Sequence, residues 1–97
     1  MSPKRDAFEL ISKVVDVLGG EVNFVLRRTE LLEDEEGFRE LHERYGLKYK
    51  ISRGYTHSYG RLNKERFLEF LREFDAKFDL NTCVIDLGGV TINPSLL

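Results

Sequence analysis

The chain holds a single cysteine, Cys83, so neither an internal disulfide nor a cysteine-built metal cluster can form. That usage fits a reducing compartment. No apolar run approaches the roughly 18 residues that a membrane span requires. The opening MSPKRDAFEL turns charged before any signal-type apolar core develops. The expectation is therefore a soluble, cytoplasmic protein with no membrane partner. Glutamine is absent, Met1 is the only methionine and 33% of the residues are charged, a bias shared by proteins of thermophiles.

The usual marks of a catalytic centre are missing as well. No nucleophile sits in a glycine-flanked elbow. The pair Gly88-Gly89 falls between two apolar runs and reads as a hairpin turn rather than a phosphate loop. His42 and His57 lack the spacing of a metal-ligand pair, and Cys83 has no neighbour in sequence that would lower its pKa. No catalytic residue, metal or cofactor is expected, and no constellation supports a named reaction. The formal net charge of −2 gives no global attraction to nucleic acid, so any electrostatic argument must be local.

What is present fits one α+β domain over residues 1–97. Ala7, Phe8, Leu10, Ile11, Val14, Val15 and Leu18 recur at helical spacing behind a Ser2-Pro3 start, and Gly19-Gly20 ends that helix. Glu21 to Arg28 alternates as a strand, with Val22, Phe24 and Leu26 on one face and Asn23, Val25 and Arg27 on the other. A second helix runs from Asp34 to Tyr45 and carries Phe38, Leu41 and Tyr45 on its apolar side. The acids Glu33, Asp34, Glu35 and Glu36 before it suit the positive end of a helix, as Arg44 and Lys48 suit its negative end.

Leu47 to Arg53 alternates again, with Lys48, Lys50 and Ser52 on one face. Gly54 permits a bend, after which Tyr55 to Arg61 returns as a partner strand or runs as a structured loop. Asn63 caps a third helix, Lys64 to about Phe78, whose wide apolar face holds Phe67, Leu68, Phe70, Leu71, Phe74 and Phe78. Thr82 to Leu87 is a buried-strand run that Gly88-Gly89 folds back on residues 90–93, and Pro94 stops the pairing. Within it, Asp86 shares a face with Val84 and is expected to meet water.

Without the first helix and the last strand the order is βαββαβ. This predicts a ferredoxin-like two-layer sandwich with an added N-terminal helix and a C-terminal β-hairpin, its first and third strands central. One face of the sheet is then open unless the first helix covers it.

Residues 44–66 stand apart from this scaffold. They hold all four tyrosines and seven of the fifteen lysines and arginines, against one acid, Glu65. On paired strands, Lys48 and Lys50 would lie beside Tyr55, His57 and Tyr59, with Arg53 and Arg61 at the ends. Aromatic rings stack on bases and cations neutralise phosphates, which together make a platform for RNA or single-stranded DNA. The competing reading is an edge hairpin whose lysines discourage aggregation. A homo-oligomeric or protein-interaction module, pairing through the first helix or the Thr82–Asn93 hairpin, is the alternative function.

Two local resemblances accompany this reading. Arg53-Gly54-Tyr55 resembles the opening of the third-strand motif of RNA-recognition-motif domains, which implies stacking of RNA bases on that strand. His57 takes the place of the motif's second aromatic, Thr56 and Ser58 depart from its small and apolar positions, and Tyr59 falls one residue short of its last ring. Phe24 is the only candidate for the matching ring on the first strand. Residues 59–97, with Gly60-Arg61-Leu62, the following helix and the Asp86-Leu87 strand end, resemble part of anti-sigma-antagonist (STAS) domains. Ser95 would match their phosphorylated serine, although Asn93-Pro94 replaces the usual residues before it.

Overall fold

A computed structural model describes residues 3–97, with side chains from Arg5 onward. The Ser2 cap expected for the first helix lies outside the described residues. Those residues form helix α1 (Pro3–Val17), strand β1 (Glu21–Arg28), helix α2 (Glu35–Arg44), strands β2 (Lys48–Ser52) and β3 (Tyr55–Asn63), helix α3 (Lys64–Phe78), and strands β4 (Cys83–Leu87) and β5 (Val90–Ile92). Short 3₁₀ turns cover Leu80–Thr82 and Pro94–Leu96. The class is α+β: three helices and one antiparallel sheet of five strands in the order β2-β3-β1-β4-β5. The central strand is β1. The fifth strand extends the sheet past β4, because the Gly88-Gly89 turn returns the chain to the β4 edge.

Local chemistry accounts for the boundaries. Asp34 caps α2 by accepting from the Gly37 amide at 2.9 Å, and Asn63 caps α3 by accepting from the Arg66 amide at 2.9 Å. Gly88 and Gly89 take φ of +51° and +97°, the doubly positive pair that a two-residue hairpin loop needs. The β2–β3 loop has the same pattern, but its first residue is not glycine: Arg53 sits at φ +50° and Gly54 at +84°.

Strand alternation then decides what is buried. Val22, Phe24 and Leu26 of β1 point inward and are at most 2% exposed, as are Thr56 and Ser58 of β3. From β4, Cys83, Ile85 and Leu87 join them. Ile11 and Val15 of α1 belong to the same cluster as Phe38 of α2 and Phe67, Phe70 and Phe74 of α3. All three helices thus share one face of the sheet. Phe24 and Phe67 meet with ring centroids 4.6 Å apart, and each such buried side chain contributes roughly 1.5–3 kcal/mol.

Two polar ties brace this layer. The Arg28 guanidinium donates to the carbonyls of Phe78, Glu30 and Leu31, joining the end of α3 to the β1–α2 loop. Lys64 at the start of α3 donates to Asp16 of α1 at 2.8 Å.

A candidate nucleic-acid interface on the open sheet face

Apart from the Asn63 cap at the start of α3, the outward residues of β3 make no hydrogen bond or ion pair with a helix among the described residues. On β3 these are Tyr55, His57, Tyr59 and Arg61. Tyr55 is 50% exposed, Tyr59 is 37% exposed and His57 is half-buried. Residues 55–63 form a continuous strand, which decides between the strand and loop readings of this segment. Gly60 does not interrupt it, because a Cβ there would come within 2.5 Å of Leu47 Cδ2; the bare backbone is what lets Leu47 pack down.

Cross-strand register sets the neighbours of each ring. Lys48 pairs with Tyr59, which pairs with Val25, which pairs with Asp86 and then Thr91. In the next row Lys50, His57, Arg27 and Val84 lie side by side. Ser52 faces Tyr55 across the hairpin, and Asn23 faces Arg61. The result is a row of three rings along β3, a row of lysines on the outer strand, and a mixed row of Val25, Arg27, Val84 and Asp86 on the inner side. Tyr55 and His57 stand between two shallow hollows. One, of about 250 Å³, is lined by Arg27, Thr29, Thr82 and Val84; the other, of about 430 Å³, by Lys50, Ile51 and Ser52.

The concentrated stretch 44–66 is divided by the fold. Of its seven cations, four serve the framework or the sheet's rim. Arg44 pairs with Glu73 at 2.8 Å, Arg61 with Glu21 at 3.1 Å and Lys64 with Asp16. Arg66 lies 4.4 Å over the Tyr45 ring and pairs with Glu69. Lys48, Lys50 and Arg53 have no ion-pair partner among the described residues. The tyrosines divide likewise. Tyr45 is buried and donates its hydroxyl to Glu73, and burial together with that carboxylate pushes its pKa up to about 12. Tyr49 packs edge-on against Phe38 from the inner side of β2. Only Tyr55 and Tyr59 reach the open face.

No protein-family model, curated protein or solved structure matches this chain. Arg53 and Gly54, which open the stretch resembling RNA-recognition-motif domains, lie in the turn before β3, and Phe24 is buried, so no ring from β1 joins the row.

Every residue singled out from the sequence (Lys48, Lys50, Arg53, Tyr55, His57, Tyr59 and Arg61) lies on the open face or at its hairpin tip. Arg61 is held by Glu21, so its charge is the most offset of the seven. Sequence reasoning missed Arg27 and Asp86. Arg27 Nη2 lies 3.0 Å from Asp86 Oδ2, and the Thr91 hydroxyl donates to Asp86 Oδ1 at 2.9 Å. Alternation placed both residues outward; their adjacency to the rings depends on register, which alternation does not supply.

Catalytic alternatives find little footing. His42 and Ser58 share a hydrogen bond at 2.7 Å, which on geometry alone invites a nucleophile–base reading. Both are at most 1% exposed, and the other ring nitrogen of His42 is spent on the Phe38 carbonyl at 2.6 Å. Burial lowers the His42 pKa, and the neutral ring sits among Phe38, Tyr49 and Phe70 as a core residue. Cys83 is likewise sealed, and burial pushes its thiol up to about 12. Among the described residues no group of three histidine, cysteine or acidic side chains is arranged to hold a metal ion. No described helix is long and apolar enough to cross a membrane.

Proposed function

We propose that this protein is a non-enzymatic binding module that takes single-stranded nucleic acid, RNA or single-stranded DNA, on the open face of its sheet. The observation that carries this reading is the outward row Tyr55, His57 and Tyr59 beside Lys48, Lys50 and Arg53, which have no ion-pair partner among the described residues. Alternate residues of a strand lie about 6.6–6.8 Å apart, roughly twice the 3.4 Å rise per base along one strand of a duplex. A nucleic acid stacking on successive rings must be drawn out to that spacing, which suits a single strand and excludes an intact duplex. Ring–base stacking supplies about 1–3 kcal/mol per base, and the cations add a salt-dependent term.

The framework itself is best read as a ferredoxin-like βαββαβ sandwich. The order β2-β3-β1-β4, with β1 antiparallel to both neighbours, supports that reading, and α1 and β5 are then additions.

The test is fluorescence anisotropy with short mixed-sequence RNA, DNA and duplex probes at low and moderate salt. Single strands should bind and the duplex should bind more weakly. Tyr55→Ala with Tyr59→Ala should lower affinity by roughly tenfold or more per ring at the middle of the stacking range. Absence of salt-sensitive single-strand binding removes the proposal.

One observation favours a second reading, a protein-interaction or self-association module. Among the described residues strand β2 has an unpaired outer edge, its own Ile51 is 40% exposed and Leu31 beside it is 74% exposed, so another strand could pair there. The notion that helix α1 supplies the contact has less support, since its apolar side is already buried in the core. A concentration series in light scattering that stays monomeric counts against self-association.

A further inference from the structure

Beyond the existence of a platform, the distribution of paired and unpaired charge fixes which way a strand lies on it. We infer that the phosphates of the bound strand run along β2 and the Arg53 tip. The bases cross the rings toward β1 and β4, where the Arg27–Asp86 pair meets their edges. This rests on the nucleic-acid reading of the same face.

The face is asymmetric about β3. On its outer side, one strand spacing of about 4.8 Å away, stand Lys48 and Lys50, both without an ion-pair partner among the described residues. Arg53 continues that line at the hairpin tip. On the inner side Arg27 is already answered by Asp86 at 3.0 Å, and Arg61, at the end of the ring row on β3, is answered by Glu21 of β1 at 3.1 Å. A phosphate placed on that side would have to displace those carboxylates and would lie beside their charge. On the outer side it meets Lys48, Lys50, the Ser52 hydroxyl and, at the tip, Arg53. Charge complementarity therefore draws the phosphate track to β2.

With phosphates on β2, each base reaches inward over Tyr55, His57 or Tyr59. Its far edge then arrives over Val25, Arg27, Val84 and Asp86. A paired arginine and carboxylate are suited to base edges: the guanidinium offers donors, the carboxylate accepts from amino groups, and their mutual neutralisation makes them poor phosphate anchors. Thr91 fixes the carboxylate through its hydroxyl at 2.9 Å. Phosphate binding and base reading are thus assigned to opposite sides of one row of rings.

Salt dependence separates the two roles. Affinities for short homopolymeric RNA and DNA strands are measured over a salt series for the full chain and for Lys48→Gln, Lys50→Gln, Arg53→Gln, Arg61→Gln and the charge-balanced double variant Arg27→Gln with Asp86→Asn. Circular dichroism checks that each variant is folded. Each of the first three should reduce the slope of log K against log salt by about 0.7, the value for one phosphate contact on a single strand. Arg61→Gln and the double variant should leave the slope unchanged, while the double variant reorders preference among the homopolymers. Slopes that fall equally for outer-side and inner-side variants, or a preference untouched by the double variant, overturn this orientation while the binding reading stands. Failure of the unaltered protein to bind any single strand overturns both. Parallel RNA and DNA arms show which sugar the site favours.

Discussion

Arg53 offers a test in which stability and binding should move in opposite directions. It is one of two non-glycine residues at positive φ among those described, and it holds the first position of a turn that prefers asparagine or glycine. A side chain with a Cβ in this left-handed region costs on the order of 1–2 kcal/mol, and no side-chain hydrogen bond or ion pair of Arg53 to the described residues offsets it. Asparagine tolerates the conformation by bonding locally, so Arg53→Asn should recover about 0.5–1 kcal/mol. For a domain of this size 1 kcal/mol moves Tm by about 4–8 °C, so an increase of roughly 2–8 °C is expected. Arg53→Gly relieves the strain fully but gains disorder in the unfolded chain, an offset of about 0.5–1 kcal/mol that leaves a net gain of about 0.5–1 kcal/mol, similar to that of Arg53→Asn. Arg53→Ala keeps the Cβ and the strain and should not stabilise. All three remove the cation, so all three should weaken single-strand binding at low salt and flatten its salt dependence. Thermal melts and anisotropy titrations on the same samples decide it. If Arg53→Asn melts no higher than Arg53→Ala, the strain assigned to the turn is not there. If binding survives all three, Arg53 is no part of the interface.

Two further predictions concern the inner side of β3. Thr56 Oγ1 is buried without a hydrogen-bond partner among the described residues, so Thr56→Val should stabilise by about 1 kcal/mol in denaturant unfolding; a loss would show that the hydroxyl is satisfied. His42 has a folded-state pKa below its ordinary 6.5, so the unfolded chain binds its proton first as pH falls. That contribution to stability is complete above about pH 6.5 and is lost below it, at no more than about 1.4 kcal/mol per pH unit, until the folded-state value is passed. Denaturation midpoints followed from neutral pH to about pH 5 should show this slope, and His42→Met should flatten it; an unchanged slope in the variant places the titrating group elsewhere.

Much of the scaffold was legible in the chain because its determinants are local. The Asn63 cap, the Gly88-Gly89 turn and the spacing of the α3 phenylalanines each act within a few residues. The division of residues 44–66 was not legible, because it depends on distant partners. Tyr45 looks like a member of the tyrosine patch until α3 brings Glu73 to its hydroxyl, 28 residues away. Arg61 looks free until β1 places Glu21 beside it, 40 residues away. Nothing near Gly60 in the sequence gives it a packing role; only the descent of Leu47 onto it does. Strand alternation sets Lys48, Lys50, Tyr55, His57, Tyr59 and Arg61 on the open face, and the turn sets Arg53 at its tip; which of the cations lack an ion-pair partner among the described residues was decided by register.

Along β3 the outward positions 55, 57, 59 and 61 alternate with the inward positions 56, 58, 60 and 62. Ser58 holds His42, Gly60 admits Leu47 and Leu62 is buried, so the inward set is tied to folding. The outward set has no core contact to keep. The two tasks are interleaved residue by residue yet separable. A lineage, or an engineer, can exchange one ring for another to change what the sheet recognises without reopening the question of how the chain folds.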